Sequence, residues 1–148
     1  MAIFFGDKTQ AWFDVWSFEH VGSGIAAGAA ATTLVRALVG DAALTQRARH
    51  RLVYAVVLLQ AYAWETLEHY LEAGTTGIST ITHWFQGVEF WGNRLVTDPL
   101  LMVAGAAAAL AYPWMAGPAR VFSMLWLLVH IFLFPHSMYL HTIEFSLF

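Results

Sequence analysis

The chain has 148 residues, enough for one domain, and 59 % of them are apolar while only 11 % are charged. A soluble domain of this size buries only about two-thirds of its chain's surface and could not hide so much apolar material, so the bilayer is the expected solvent. The net charge of −3 excludes the basic footprint that nucleic-acid binding needs, and the absence of cysteine excludes disulfides, thiolate metal sites and iron–sulfur clusters.

The mean hydropathy of +0.58 and the seven Trp residues, suited to interfacial anchoring, lead to the same expectation. It is an all-α integral membrane protein over residues 1–148, a bundle of about four transmembrane helices. A short interfacial or re-entrant helix is expected between spans two and three.

Residues 1–17 mix aromatics with Asp7, Lys8 and Asp14, and carry no basic stretch leading into a cleavable apolar run. The first span is therefore expected to be its own targeting signal. Trp12 and Trp16, one helical turn apart, suit a short segment lying in the interface. Residues 18–40 form the first predicted span, where Gly24 and Gly28 have the spacing that lets helices approach closely in lipid.

A basic loop follows over 41–51, then a second span over 52–73 and a turn over 74–80. The segment 81–92 is too short and polar to cross alone. The third predicted span is 94–115, with Pro99 in its first turns, where a missing N–H costs little. Pro113, Gly117 and Pro118 punctuate the next turn. The fourth span is 120–147, with a kink expected at Pro135.

Five of the seven basic residues, Arg36, Arg47, Arg49, Arg51 and Arg120, fall beside the two loops that join spans one to two and three to four. The positive-inside rule then places both termini on the non-cytoplasmic side of an inner membrane of bacterial type. The same topology sends Asp7, Asp14, Glu19, Glu65, Glu68, Glu72, Glu89, Asp98 and Glu144 to the outer half and leaves Asp41 alone inside. His20, His69, His83, His136 and His141 share that outer half, with His130 near mid-membrane and His50 in the basic loop.

Glu65, Glu68, His69 and Glu72 are spaced i, i+3, i+4 and i+7, so they share one face of the second span. Glu65 lies roughly 20 Å into a helix that starts at Leu52. A carboxylate at that depth costs on the order of 2.5–3.5 kcal/mol and needs a partner, a metal or a water-filled cavity. Glu72, at the helix end, reads as solvated. Gln86, Glu89 and Asn93 form a second polar stripe. Arg94 and Asp98 have the spacing of a simple helical ion pair. Glu19 and His20 either supply ligands or mark the interface.

Carboxylates and imidazoles without cysteine make the ligand set of Fe, Zn or Mn sites. On this reading Glu65, His69, His136 and His141 are the metal-ligand candidates, and Glu65, Glu68, Glu89 and Asp98 the catalytic carboxylates. The expected function is a small membrane metalloprotein with a Glu/His site in the outer half of the bilayer, acting on a membrane lipid or lipid-soluble molecule as an oxidoreductase or hydrolase. An inward-facing Glu and His set in a four-helix bundle also invites comparison with di-iron carboxylate proteins, but their Glu-x-x-His motif is missing.

Two alternatives remain open. One is a subunit of a larger electron-transfer or photosynthetic complex binding haem b or chlorophyll, with His130, His141 and His69 as axial candidates. The other is a metal-free acid–base isomerase of a sterol-like or isoprenoid substrate, built on Glu65, Glu68 and His69. A homo-oligomer is compatible with all three.

Overall fold

The computed structural model describes residues 2–40, 43–85, 87–129 and 132, with only the backbone for 82–84. The chain is mainly helical. Two short strands, β1 (Ile3–Phe5) and β2 (Ala11–Phe13), precede helices α1 (Ser17–Val39), α2 (Gln46–Glu72), α3 (Ser79–Phe85), α4 (Asp98–Ala111) and α5 (Ala116–Leu128). A π-helical turn, Asn93–Thr97, runs directly into α4, and a 3₁₀ turn, Pro113–Met115, joins α4 to α5.

The strands correct the all-α expectation, and the segment around Trp12 is one of them. β1 and β2 pair in parallel, Ile3 opposite Ala11 and Phe5 opposite Phe13. The connection between them, which brings the chain back beside the start of β1, contains a turn closed by the Gln10 and Ala11 N–H groups on the Asp7 carbonyl. The Asp7 carboxylate takes the N–H and hydroxyl of Thr9 at 2.7 Å each, so the aspartate itself winds this turn.

Small residues explain the packing of α1 on α4. A Cβ on Gly24 would lie 2.3 Å from the Met102 carbonyl oxygen, and one on Gly28 would lie 2.6 Å from Ala106 Cα. Conversely, a Cβ on Gly105 would meet the Val21 carbonyl oxygen at 2.4 Å. The two helices touch backbone to backbone, as the four-residue spacing in the sequence anticipated. The matched order, Gly24 with Met102 and Gly28 with Ala106, makes them parallel. α2 runs back beside them, and Val53, Val57 and Ala61 complete a core with Ala27, Ala31, Val35, Met102 and Ala106.

The polar termini are consequently sorted. The α1 start, the α2 end and the α4 start lie together, and the other ends lie opposite. α1 and the stretch Asn93–Ala111 are each long and apolar enough to cross a membrane. α2 is longer, at 27 residues, but carries charge at both ends. Leu38, Leu59, Leu100 and Met124 point their apolar surface outward.

The third helix ends at Ala111, short of the expected residue 115. Pro113 excludes the helical conformation at the residue before it, and Tyr112 adopts φ −133°, ψ 75°. α5 begins at Ala116, four residues before the expected start, because Pro118 falls in its first turn and removes an N–H that had no partner there. The interfacial helix expected over 81–92 covers only Ser79–Phe85. Pro135 and the rest of the fourth predicted span lie outside the described residues.

Pro99 sits inside a continuous helical run, not at a free helix start, so its missing N–H would orphan the Leu95 carbonyl. The Tyr62 hydroxyl of α2 donates to that carbonyl at 3.0 Å, beside the π turn. Tyr62→Phe is expected to cost about 1 kcal/mol, and Pro99→Ala in the same chain to make that change nearly silent. Equilibrium unfolding of the single and double variants in detergent measures the coupling; purely additive losses would rule the contact out.

Candidate metal centre

Six carboxylates converge at the polar end, from the strand–helix junction (Asp14), α2 (Glu65, Glu68, Glu72), the segment before the π turn (Glu89) and the start of α4 (Asp98). Asp14 organises the entry to α1. Its Oδ1 accepts the N–H groups of Trp16 at 2.8 Å and Ser17 at 3.1 Å, capping a helix start whose dipole favours an acid. Its Oδ2 accepts from Asn93 Nδ2 at 3.3 Å, and the same amide donates to Glu89 Oε1 at 2.8 Å.

One turn into α1, His20 Nδ1 lies 3.0 Å from the Trp16 carbonyl. A carbonyl only accepts, so Nδ1 carries a proton; a carboxylate only accepts as well, so the contact of Nε2 with Glu65 holds either a proton or, in its place, a cation. That Nε2 lies 3.1 Å from Glu65 Oε1, while Asp98 Oδ2 is 3.7 Å from Nδ1. One ring nitrogen of His20 and one oxygen each of Glu65 and Asp98 lie within 4.8 Å of one another, all buried.

Glu65 and Asp98 are 1 % and 0 % exposed, and Glu65 Oε2 and Asp98 Oδ2 have no hydrogen-bond partner among the described residues. Two buried carboxylates around one imidazole need a cation or bound protons between them. Ligands about 2.1 Å from a divalent metal stand about 3.0–3.4 Å apart, so three donor atoms within 4.8 Å of one another could hold one ion after side-chain adjustment. Ser17 Oγ, 3.5 Å from Asp98 Oδ1, and the Trp16 carbonyl behind His20 hold the ligands from outside.

The sequence-derived candidates divide. Glu65 and Asp98 enter the centre. Glu68 is half-buried beside it, and Glu89 stands one amide away, through Asn93. His69 does not enter. Its Nδ1 meets the Arg94 guanidinium, so Arg94 has this partner in place of the expected Asp98. Arg94 has only one guanidinium to place, and Asp98 is turned inward to Ser17 and His20. His130, His136, His141 and Glu144 lie outside the described residues, and nothing is assigned to the side chain of His83.

Glu72 corrects the solvated reading. It is buried, its Oε1 pairs with Lys8 Nζ, and its Oε2 accepts the Glu89 N–H at 3.0 Å. Lys8 reaches it because the turn between β1 and β2 is pinned across the bundle end by the Phe90 N–H on the Lys8 carbonyl at 2.8 Å. Lys8→Met should leave a buried carboxylate uncompensated and cost about 3–5 kcal/mol, much of it recovered by adding Glu72→Gln. Detergent-solubilised unfolding curves check this; a single variant as stable as the parent would refute the pairing.

Electrostatics outside the spanning helices follow from burial. Desolvation lifts the Asp14 carboxyl above the usual range against the pull of its two backbone N–H donors. Desolvation, and then the neighbouring Asp98, Glu68, Glu65 and Asp14, push Glu89 up to about 10. Below its ordinary value of 4.5 Glu89 is protonated in folded and unfolded chains alike. Above it the unfolded chain releases a proton that the folded chain keeps, so metal-free protein loses stability as pH rises from 4.5 towards 10. Thermal unfolding of chelator-treated protein should show a falling Tm across that window and a shallower fall for Glu89→Gln. A Tm that climbs with pH would reverse the sign of the argument.

His20, Lys8, Asp14 and Asn93 are the residues that sequence reasoning undervalued. The one available signal was the pair Glu19-His20 at the mouth of the first span, at the same depth as Glu65. Comparison of the chain with protein-family models, with curated proteins and with solved structures finds no match.

Proposed function

We propose that this chain is a small membrane-embedded metalloprotein that holds one divalent transition metal, Fe, Zn or Mn, on His20, Glu65 and Asp98. The observation that carries the reading is the committed His20 ring. Its Nδ1–H is spent on the Trp16 carbonyl, the outer hydrogen bond typical of a metal-bound histidine, and its Nε2 is set 3.1 Å from a buried carboxylate oxygen. One imidazole with two carboxylates suits a borderline-to-hard ion and leaves coordination positions for substrate or water.

In this reading α1, α2, the stretch Asn93–Ala111 and the helix that begins as α5 make four spans. The arginine-rich ends face the cytoplasm, and the centre lies in the outer half of the bilayer. A site at that depth, walled by apolar helices, favours a lipid-soluble substrate. Elemental analysis of detergent-purified protein tests the proposal. About one equivalent of a single transition metal is expected, and less than about a tenth of an equivalent after growth in replete medium would reject it.

A second reading, a metal-free acid–base enzyme, is favoured by the direct 3.1 Å approach of Glu65 to His20, which can share a proton in place of a metal. It gains the ground that the first loses if purified protein carries no metal.

A further inference from the structure

The opposite end of the molecule carries a site of contrary charge. Arg36, Arg47, Arg49, Arg51 and Arg120 cluster there in the topology, against Asp41 as that end's one acid in the sequence. A cleft of about 660 Å³ opens at the start of α2, lined by Thr45, Gln46, Arg47, His50, Arg51 and Tyr54. Arg47, His50, Arg51 and Tyr54 are spaced i, i+3, i+4 and i+7, so one helical face collects two guanidiniums, an imidazole and a phenol.

Among the described residues no acid lines the cleft, and none stands in the first turn of α2. Acids are favoured at that end of a helix, where backbone N–H groups leave a partial positive charge, and here arginines take their place. The Thr45 hydroxyl accepts the Ala48 N–H, and the Thr45 carbonyl accepts that of Arg49. The Gln46 and Arg47 N–H groups have no partner among the described residues. The cleft thus gathers donors and positive charge with no acid among its described lining residues.

We propose that this cleft binds a phosphate group, with the Arg47 and Arg51 guanidiniums as its paired donors and His50 and Tyr54 beside them. Leu58, seven residues on from Arg51, and Tyr62 continue the same face of α2 with exposed side chains, which favours the headgroup of an anionic phospholipid, its acyl chains lying along them, as the source of the phosphate. The site is independent of the metal centre at the other end.

Native mass spectrometry of the detergent-purified full chain, titrated with phosphatidylglycerol, phosphatidylcholine or inorganic phosphate, tests it. Phosphatidylglycerol adducts should outlast phosphatidylcholine adducts by at least about tenfold, and Arg47→Gln/Arg51→Gln should erase the difference. Arg49→Gln, off that face, should preserve it. Should the double variant not fold, Arg47→Gln alone gives the same reading, since Arg47 is exposed. An arginine-dependent adduct of inorganic phosphate, with the two lipids equal, would keep the phosphate site and make its occupant a soluble one. Equal lipids without a phosphate adduct, or a phosphatidylglycerol preference that survives loss of the arginines, would overturn the proposal.

Discussion

Glu65→Gln is expected to lower metal affinity by at least about a hundredfold, and His20→Ala and Asp98→Asn to do the same, because each removes one of three buried ligands. Gln keeps the shape and burial of Glu65 and removes its charge, so the fold should persist while the cation is lost. The metal-free variant should even unfold at higher temperature than metal-free parent protein. One of two carboxylates that crowd each other without a counter-ion has then been neutralised. Titration with the metal, monitored by dialysis and elemental analysis, separates this from a structural role, in which all three variants would retain metal and differ only in stability. His69→Ala supplies the contrast. It should disturb the contact with Arg94 and leave metal content near that of the parent.

Gly105→Leu should prevent assembly of the bundle, at a cost above about 3 kcal/mol. The new side chain would start 2.4 Å from the Val21 carbonyl oxygen and 2.8 Å from the Ile25 nitrogen, and neither backbone atom can move without dragging α1 away from α4. His20 and Asp98 ride on those two helices, so the metal centre should be lost together with the fold. Gly117→Ala, where a Cβ meets nothing within 4 Å, is the matched control and should be silent. Size-exclusion profiles and thermal unfolding of the two variants decide the matter. A monodisperse, metal-bearing Gly105→Leu protein would mean that α1 and α4 do not pack through their glycines.

The residues that sequence reasoning placed well are those whose position follows from helix period and depth. The Gly24–Gly28 pair, the inward carboxylate of Glu65 and the place of Asp98 near the start of the third span all follow from periodicity and from the cost of charge in lipid. What periodicity omits is the rotation of one helix against the next. That rotation set His20, rather than His69, against Glu65, and sent Arg94 to His69 in place of Asp98. Lys8 was illegible for a different reason. It lies on a turn between two strands that carry no periodic signal, and only the fold of that turn over the bundle end brings its ammonium to Glu72. The proline rules were legible in kind but not in register. Pro113 and Pro118 did mark the boundary between two helices, whereas Pro99 lies within a helix because Tyr62 supplies the hydrogen bond that the proline removed.

X-ray absorption at the edge of the bound metal tests the centre most directly. The arrangement of His20, Glu65 and Asp98 predicts a shell of oxygen and nitrogen ligands near about 2.1 Å containing a single imidazole, with no metal retained once that histidine is replaced by alanine. A shell with two or more imidazoles, or an unchanged spectrum in His20→Ala, would place the metal elsewhere in the chain and contradict the assignment.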